Sequence, residues 1–164
     1  MMSEEITEKA RQIIQNLLDK MGIDARVEVE DGEYVMPNEE GDEGQGQVVN
    51  IIGEDLGILI GRRGQTLNTL QYLIRLMLAQ QEKEFYPIVI DVNNYRQRRY
   101  EALRSMAFHM AEQVKDKKMP FSLEPMPAFD RRIIHLLLLQ HPEVTTQSIG
   151  VGEARKVVIV LREE

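Results

Sequence analysis

Ile60-Gly61-Arg62-Arg63-Gly64 carries the reading of this 164-residue chain, and the segments on either side decide what it means. Two glycines permit backbone angles closed to other residues and let a second backbone approach closely. The amides that follow, near Gln65 and Thr66, open a predicted helix and attract phosphate through its dipole. Arg62 and Arg63 add positive charge at the same spot. This chemistry suits gripping a sugar-phosphate backbone while bases lie in an adjacent apolar groove. Alone, the four residues say less, because a bare G-x-x-G is more often a plain connection between two helices.

Working outward, Asp55 to Ile60 reads as a short helix ending at Gly61. Gln65 to Gln80 reads as a longer one, with Leu67, Leu70, Ile74, Met77 and Leu78 on one face. Upstream, Glu5 to Met21 places Ile6, Ala10, Ile13, Ile14, Leu17, Leu18 and Met21 at helical spacing, and Gly22 is the expected C-cap. From Ala25, Val27 and Val29 alternate with charged neighbours as in a half-buried strand. Gln47 to Ile52 is a second strand, and Phe85 to Val92 a third, with Pro87 near its beginning. The order is α-β-β-α-α-β. The acidic, glycine-rich stretch 37–46 between two strands is expected to be a mobile loop.

The remainder opens on a long helix from Asn94 to about Lys117, with Leu103, Ala107, Met110 and Val114 buried and Arg96, Arg98, Arg99 and Arg104 in its early turns. Phe121 to Met126 is a short strand hemmed in by prolines, and Phe129 to Leu139 is a helix ended by His141-Pro142. Val144 to Ile149 and Lys156 to Leu161 are strands. The expectation is an α+β chain of two small domains, residues 1–93 and 94–164, the second with helices packed on a small mixed sheet. Arg131 and His135 stand four residues apart, roughly 40° around the helix axis and so on one face. Ile133, Ile134, Leu137 and Leu138 lie opposite. A guanidinium and an imidazole projecting together can hold a phosphate or stack on a base. On spacing alone an ordinary solvated helix face is the better reading of the pair.

Composition excludes several classes. With no cysteine there is no disulfide framework, thiolate zinc site or cysteine nucleophile. His109, His135 and His141 show no metal-ligand spacing, and Gly64 is not followed by the lysine of a nucleotide-binding loop. Asp130 could orient His135, but no serine sits in an elbow motif, so neither a catalytic residue nor a cofactor is expected. No apolar run reaches the roughly 18 residues needed to span a bilayer, and the start is polar and acidic, so a soluble, cytoplasmic protein without stable membrane insertion is expected. A net charge of −7 argues at first sight against a nucleic-acid ligand. The acid is concentrated, however: residues 1–46 hold 4 basic and 13 acidic groups, 47–93 hold 4 and 5, and 94–164 hold 12 and 9.

The G-x-x-G loop within the α-β-β-α-α-β order resembles the type II KH domain. The string Glu124-Pro125-Met126, Arg131-Arg132-Ile133-Ile134-His135, Val144-Thr145-Thr146, Gly150-Val151-Gly152 and Val157-Val158-Ile159, opened by Tyr95-Arg96-Gln97-Arg98-Arg99, resembles the R-3-H domain. The two in this order resemble the Jag family, also called KhpB. The resemblance implies a cytoplasmic protein that binds single-stranded RNA, with single-stranded DNA as the alternative, in post-transcriptional regulation tied to cell elongation or division. A small KH protein or a second copy of the chain is the implied protein partner. The expected contacts are Gly61, Arg62, Arg63 and Gly64 on the backbone, Ile58 and Ile60 lining the groove, and Arg131 with His135 as a second site. Arg96 and Arg99 are the expected electrostatic neighbours. Measured against longer family members, a short form without the extra N-terminal domain is expected. The rival reading is an adaptor whose KH surface mediates dimerisation or ribosome docking.

Overall fold

Amphipathic helices and a three-stranded sheet build the core of the first unit, and the middle strand of that sheet is buried along its length. In the computed structural model, which describes residues 2–33, 36–37, 43–44 and 47–163, this middle strand runs over Gln47–Ile52. Three further strands precede it in the chain: β1 (Arg26–Glu33), β2 (Met36–Pro37) and β3 (Glu43–Gly44), so Gln47–Ile52 is β4. Strand β4 pairs antiparallel with β1 and parallel with β5 (Ile88–Val92). A parallel pair requires a crossover. Here the crossover is the helix pair α2 (Gly57–Ile60) and α3 (Gln65–Glu82), while α1 (Met2–Met21) precedes the sheet in the chain. Ile6, Ala10, Ile14 and Leu18 of α1 meet Leu67, Leu70, Ile74 and Leu78 of α3 in one core with Val49, Ile51, Ile90 and Val92. Met77, expected on that inner face, is exposed instead.

Left-handed residues displace several ends from their expected places. Asp55 has φ 52°, so α2 begins only at Gly57. Asn93 and Asn94 have φ 49° and 55°, and helix α4 (Tyr95–Lys117) begins after them. Short polar side chains tolerate this conformation better than most. Where a mobile loop was expected over 37–46, Met36–Pro37 at its start pairs antiparallel with Glu43–Gly44. The rest of 37–46 lies outside the described residues.

The chain divides into two compact units, residues 1–96 and 97–164. The division falls just inside α4 because Tyr95 packs on the first core and Arg96 is buried against it. In the second unit α4 buries Leu103, Ala107, Ala111 and Val114, an i, i+4, i+8, i+11 stripe in which Ala111 takes the place expected for Met110. Helix α5 (Ala128–Leu138) packs on a sheet ordered β6 (Phe121–Ser122), β8 (Lys156–Leu161), β7 (Val144–Ile149). That sheet is antiparallel throughout rather than mixed, as a short connection from β7 to β8 demands. Among the described residues no helix is long and apolar enough to cross a membrane.

Candidate nucleic-acid interface

Gly61 ends α2 by donating its N–H to the Gly57 carbonyl at 2.9 Å. Its φ of 71° and ψ of −173° form a combination that essentially only glycine adopts. One tight turn follows, with Arg63 at φ 54° and Gly64 at φ 79°, and α3 starts at once. A Cβ on Gly61 would lie 2.0 Å from Thr66 Oγ1 and 2.9 Å from the Thr66 amide nitrogen. A Cβ on Gly64 would lie 2.9 Å from Tyr95 Cε1. Both glycines are therefore dictated by close approach as well as by backbone angle. No side chain caps the start of α3, and Arg62 is exposed beside it.

Beside this loop lies an open groove of about 850 Å³. Ile58, 71% exposed, forms one wall. Ile23, Ala25, Ile52 and Leu56 supply more apolar lining, and Asp24, Arg26, Glu54 and Asp55 a polar rim. Ile60, expected to share the lining, packs on the core instead, because it falls on the inward side of the short helix. The strand-end residues Ala25, Arg26 and Ile52 were not expected here. No local pattern marks them, since the β1–β4 register is what brings Arg26 opposite Ile52.

The second cluster is assembled by helix α5 and one face of β7. Strand periodicity puts Thr146 and Ser148 on the same side. His135 Nδ1 lies 2.6 Å from Thr146 Oγ1 and its Nε2 2.7 Å from Ser148 Oγ. Arg131 donates from Nε to the Met126 carbonyl at 3.2 Å and from Nη1 to Ser148 Oγ at 3.3 Å. The Met126 amide in turn donates to the Arg155 carbonyl at 3.2 Å, which brings Arg155 alongside. Arg155 Nη1 donates to the Gly150 carbonyl at 2.9 Å. Burial, then the charges of Arg131 and Arg155, hold the His135 imidazole below its ordinary pKa. Burial and then Arg155 lower Arg131 likewise. Among the described residues no carboxylate pairs with any of the three. Thr146, Ser148 and Arg155 escaped the sequence reading, although Thr146 lay inside the motif that was quoted.

Two expected contacts are corrected. Arg96 is 8% exposed, with Nε on the Ile90 carbonyl, Nη1 on Asn68 and Nη2 on Gln71. Arg99 is paired at 2.6 Å with Asp130, itself buried. The Arg96 guanidinium is committed inside the fold, and that of Arg99, though partly solvated, is neutralised by Asp130, so neither is a ready electrostatic neighbour for a ligand. Asp130 accordingly orients Arg99 and not His135. His109 is exposed within hydrogen-bond distance of Gln113, and His141 Nδ1 accepts from the Glu143 and Val144 amides after α5. No group of residues among those described could hold a metal ion.

Residues 7–90 match the family described as KhpA/KhpB, KH domain, and residues 101–161 match the R-3-H domain family. The RNA-binding protein KhpB of Clostridium symbiosum is 38% identical over 163 residues, covering 98% of this chain and 68% of that protein. The RNA-binding protein KhpB of Bacillus subtilis is 41% identical over 112 residues, covering 67% of this chain and 54% of its own length. The protein of the same name from Lactiplantibacillus plantarum is 36% identical over 107 residues, covering 65% of this chain and 33% of that protein. The chain thus spans about two thirds, about half and about a third of these three relatives.

Proposed function

The chain belongs to the KhpB family of KH and R-3-H domains, and from that premise we propose that it is a single-stranded RNA-binding protein with two contact sites. The carrying observation is the gathering of Arg131, His135 and Arg155 around two hydroxyls with no carboxylate between them among the described residues. Like charges brought together in a partly desolvated site repel. An anion completes such a site, and a phosphate matches both the guanidinium fork and the hydroxyl donors. The Gly61–Gly64 loop supplies the other contact. Its exposed Arg62 and the uncapped start of α3 face a backbone phosphate, and the groove at Ile58 receives a base. In this reading residues 1–93 form the KH domain and 94–164 the R-3-H domain, with Tyr95 and Arg96 serving the first as well. Post-transcriptional regulation in the cytoplasm is the physiological role that follows.

A titration with single-stranded RNA, single-stranded DNA and duplex controls tests this. Arg62→Asp with Arg63→Asp, and separately Arg131→Ala with His135→Ala, should each weaken RNA binding while the fold persists. Parental affinity in both folded double variants would defeat the assignment of sites.

A second reading rests on a separate surface. Tyr72, Leu73, Leu76 and Met77 of α3 are all exposed, at helical spacing, with Phe85 nearby under the Arg75 guanidinium at 5.8 Å. An apolar stripe of this kind is a common mark of an interaction face. It favours self-association or a small KH partner in addition to RNA. Sedimentation equilibrium of the parent against Leu73→Lys with Leu76→Lys decides: a mass that is monomeric and unchanged by the substitutions removes self-association.

A further inference from the structure

We infer that Tyr95 is a positioning residue for the Gly61–Gly64 loop, its ring edge holding Gly64 in the left-handed turn that presents the arginines and the first amides of α3. The inference rests on the reading of that loop as a nucleic-acid contact.

The geometry is that of a brace. Measured from the Cβ position that Gly64 lacks, Tyr95 Cε1 lies at 2.9 Å, its Oη at 3.4 Å and its Cζ at 3.5 Å. The hydroxyl end of the ring therefore abuts the loop backbone itself, and Gly64 is buried beneath it. The ring also packs against the core of the first unit. Its neighbours in the chain fix it there. The Arg96 amide donates to the Asp91 carboxylate at 3.2 Å, and the Arg96 guanidinium holds Asn68 and Gln71 of α3 at 3.1 and 3.2 Å. On the other side Asn93 exchanges two hydrogen bonds with Gly53, at 2.9 and 3.2 Å. Gly53 lines the groove. The four residues Asn93–Arg96 thus clasp the groove wall at one end and α3 at the other, with Tyr95 pressed on the loop between them. A ring so held removes conformations in which the loop turns its amides elsewhere. Such preorganisation raises affinity without a new ligand contact.

The prediction separates this role from mere packing. Full-length parent, Tyr95→Phe, Tyr95→Leu, Gly64→Ala and the Arg62→Asp with Arg63→Asp variant are titrated with a short single-stranded RNA of mixed sequence. Each is studied well below its own melting temperature, and the free proteins are compared by the amide shifts of residues 61–65. Tyr95→Leu should bind about 5–30-fold more weakly than the parent, the range expected for coupled neighbours, with Tyr95→Phe between the two. The loop amide shifts should move in Tyr95→Leu and move less in Tyr95→Phe. Gly64→Ala pushes on the same contact from the other side and should move the same amides. In the double variant with Tyr95→Leu its effect on affinity should be less than the product of the two single losses. Loop amides unmoved in folded Tyr95→Leu would overturn the inference, as would parental affinity in that variant while the arginine pair variant loses binding. If the arginine pair variant binds like the parent, the loop's role in RNA binding fails instead, and the amide shifts still decide whether Tyr95 positions it.

Discussion

Replacing Gly61 with alanine tests the loop most directly, because two separate costs can be read from its geometry. The backbone pair of 71° and −173° is a glycine-only conformation, and holding alanine there costs about 1–3 kcal/mol. The added methyl would also lie 2.0 Å from Thr66 Oγ1, 2.7 Å from Thr66 Cβ and 2.9 Å from the Thr66 nitrogen. The hydroxyl can rotate away, but the helical backbone nitrogen cannot, and overpacking of this kind adds roughly 1–3 kcal/mol. The turn can relieve itself only by swinging residues 61–64 off the start of α3. We therefore expect a folded protein whose urea midpoint falls, together with RNA affinity reduced about tenfold or more, since each 1.4 kcal/mol is a factor of ten. Gly57→Ala is the matched control. It lies in α2, meets nothing within 4 Å and has no positive φ, so it should be neutral or stabilising by about 0.5–1 kcal/mol. Thr66→Ala in the Gly61→Ala background should recover part of the loss and leave the backbone cost. Fluorescence anisotropy of a labelled RNA and urea denaturation provide the two readouts. A Gly61→Ala protein with the parent's midpoint and affinity would refute the argument that the loop is locked by that residue.

Three further outcomes follow from the second unit. Asp130→Asn should destabilise by about 1–3 kcal/mol in chemical denaturation, less than a fully buried pair would cost because Arg99 remains partly solvated. His135 is held below its ordinary pKa of 6.5, so the unfolded chain binds the extra proton first, and the stability its neutral form contributes is complete above that value and lost as pH falls. RNA affinity should run the other way and strengthen between about pH 7.5 and 5.5, because a bound phosphate favours the imidazolium; affinity independent of pH across that range would separate His135 from the phosphate. Arg155→Ala should lower the slope of log affinity against log salt by about one, as expected for one lost phosphate contact, and an unchanged slope would remove it from the site.

Elements whose neighbours in sequence are also their determinants in space were legible. Strands β7 and β8 begin and end where the alternation of apolar and polar residues says they should. So does β4, whose ends Gln47 and Ile52 border the acidic stretch and Gly53. Some of the ends that moved are set by a left-handed residue other than glycine, whereas β5, expected from Phe85, begins at Ile88, and β6, expected to reach Met126, stops at Ser122 without one. Asp55, Asn93 and Asn94 are short polar residues that tolerate that conformation, and Asn93 adopts it while bonded to Gly53, remote in sequence. Periodicity also blurs between adjacent positions. On α4 both Met110 and Ala111 satisfy a helical stripe within one residue, and the small side chain is the one buried.

At the candidate site the motif glycines and the Arg131–His135 pair could be read because each depends on local geometry: a turn in one case, four-residue helical spacing in the other. The role of an arginine is different in kind. Its sequence context gives the side of the helix it occupies, while its function depends on what faces it, and that partner comes from elsewhere in the chain. Arg96 and Arg99 stand in a run of arginines that suggests a basic surface, yet the Ile90 carbonyl, Asn68 and Gln71 claim the first guanidinium and Asp130 the second. Arg155 stands alone after a glycine turn and attracts no notice, yet the Met126 hydrogen bonds set it beside Arg131. Charge counts err for the same reason. An ion pair contributes little field beyond a Debye length of about 8 Å, so paired arginines add almost nothing to a phosphate site, however many there are. What attracts an anion is the unneutralised remainder. In the second unit Arg131 and Arg155 belong to that remainder, and on the proposed reading they are where a chain of net charge −7 offers a phosphate a place to bind.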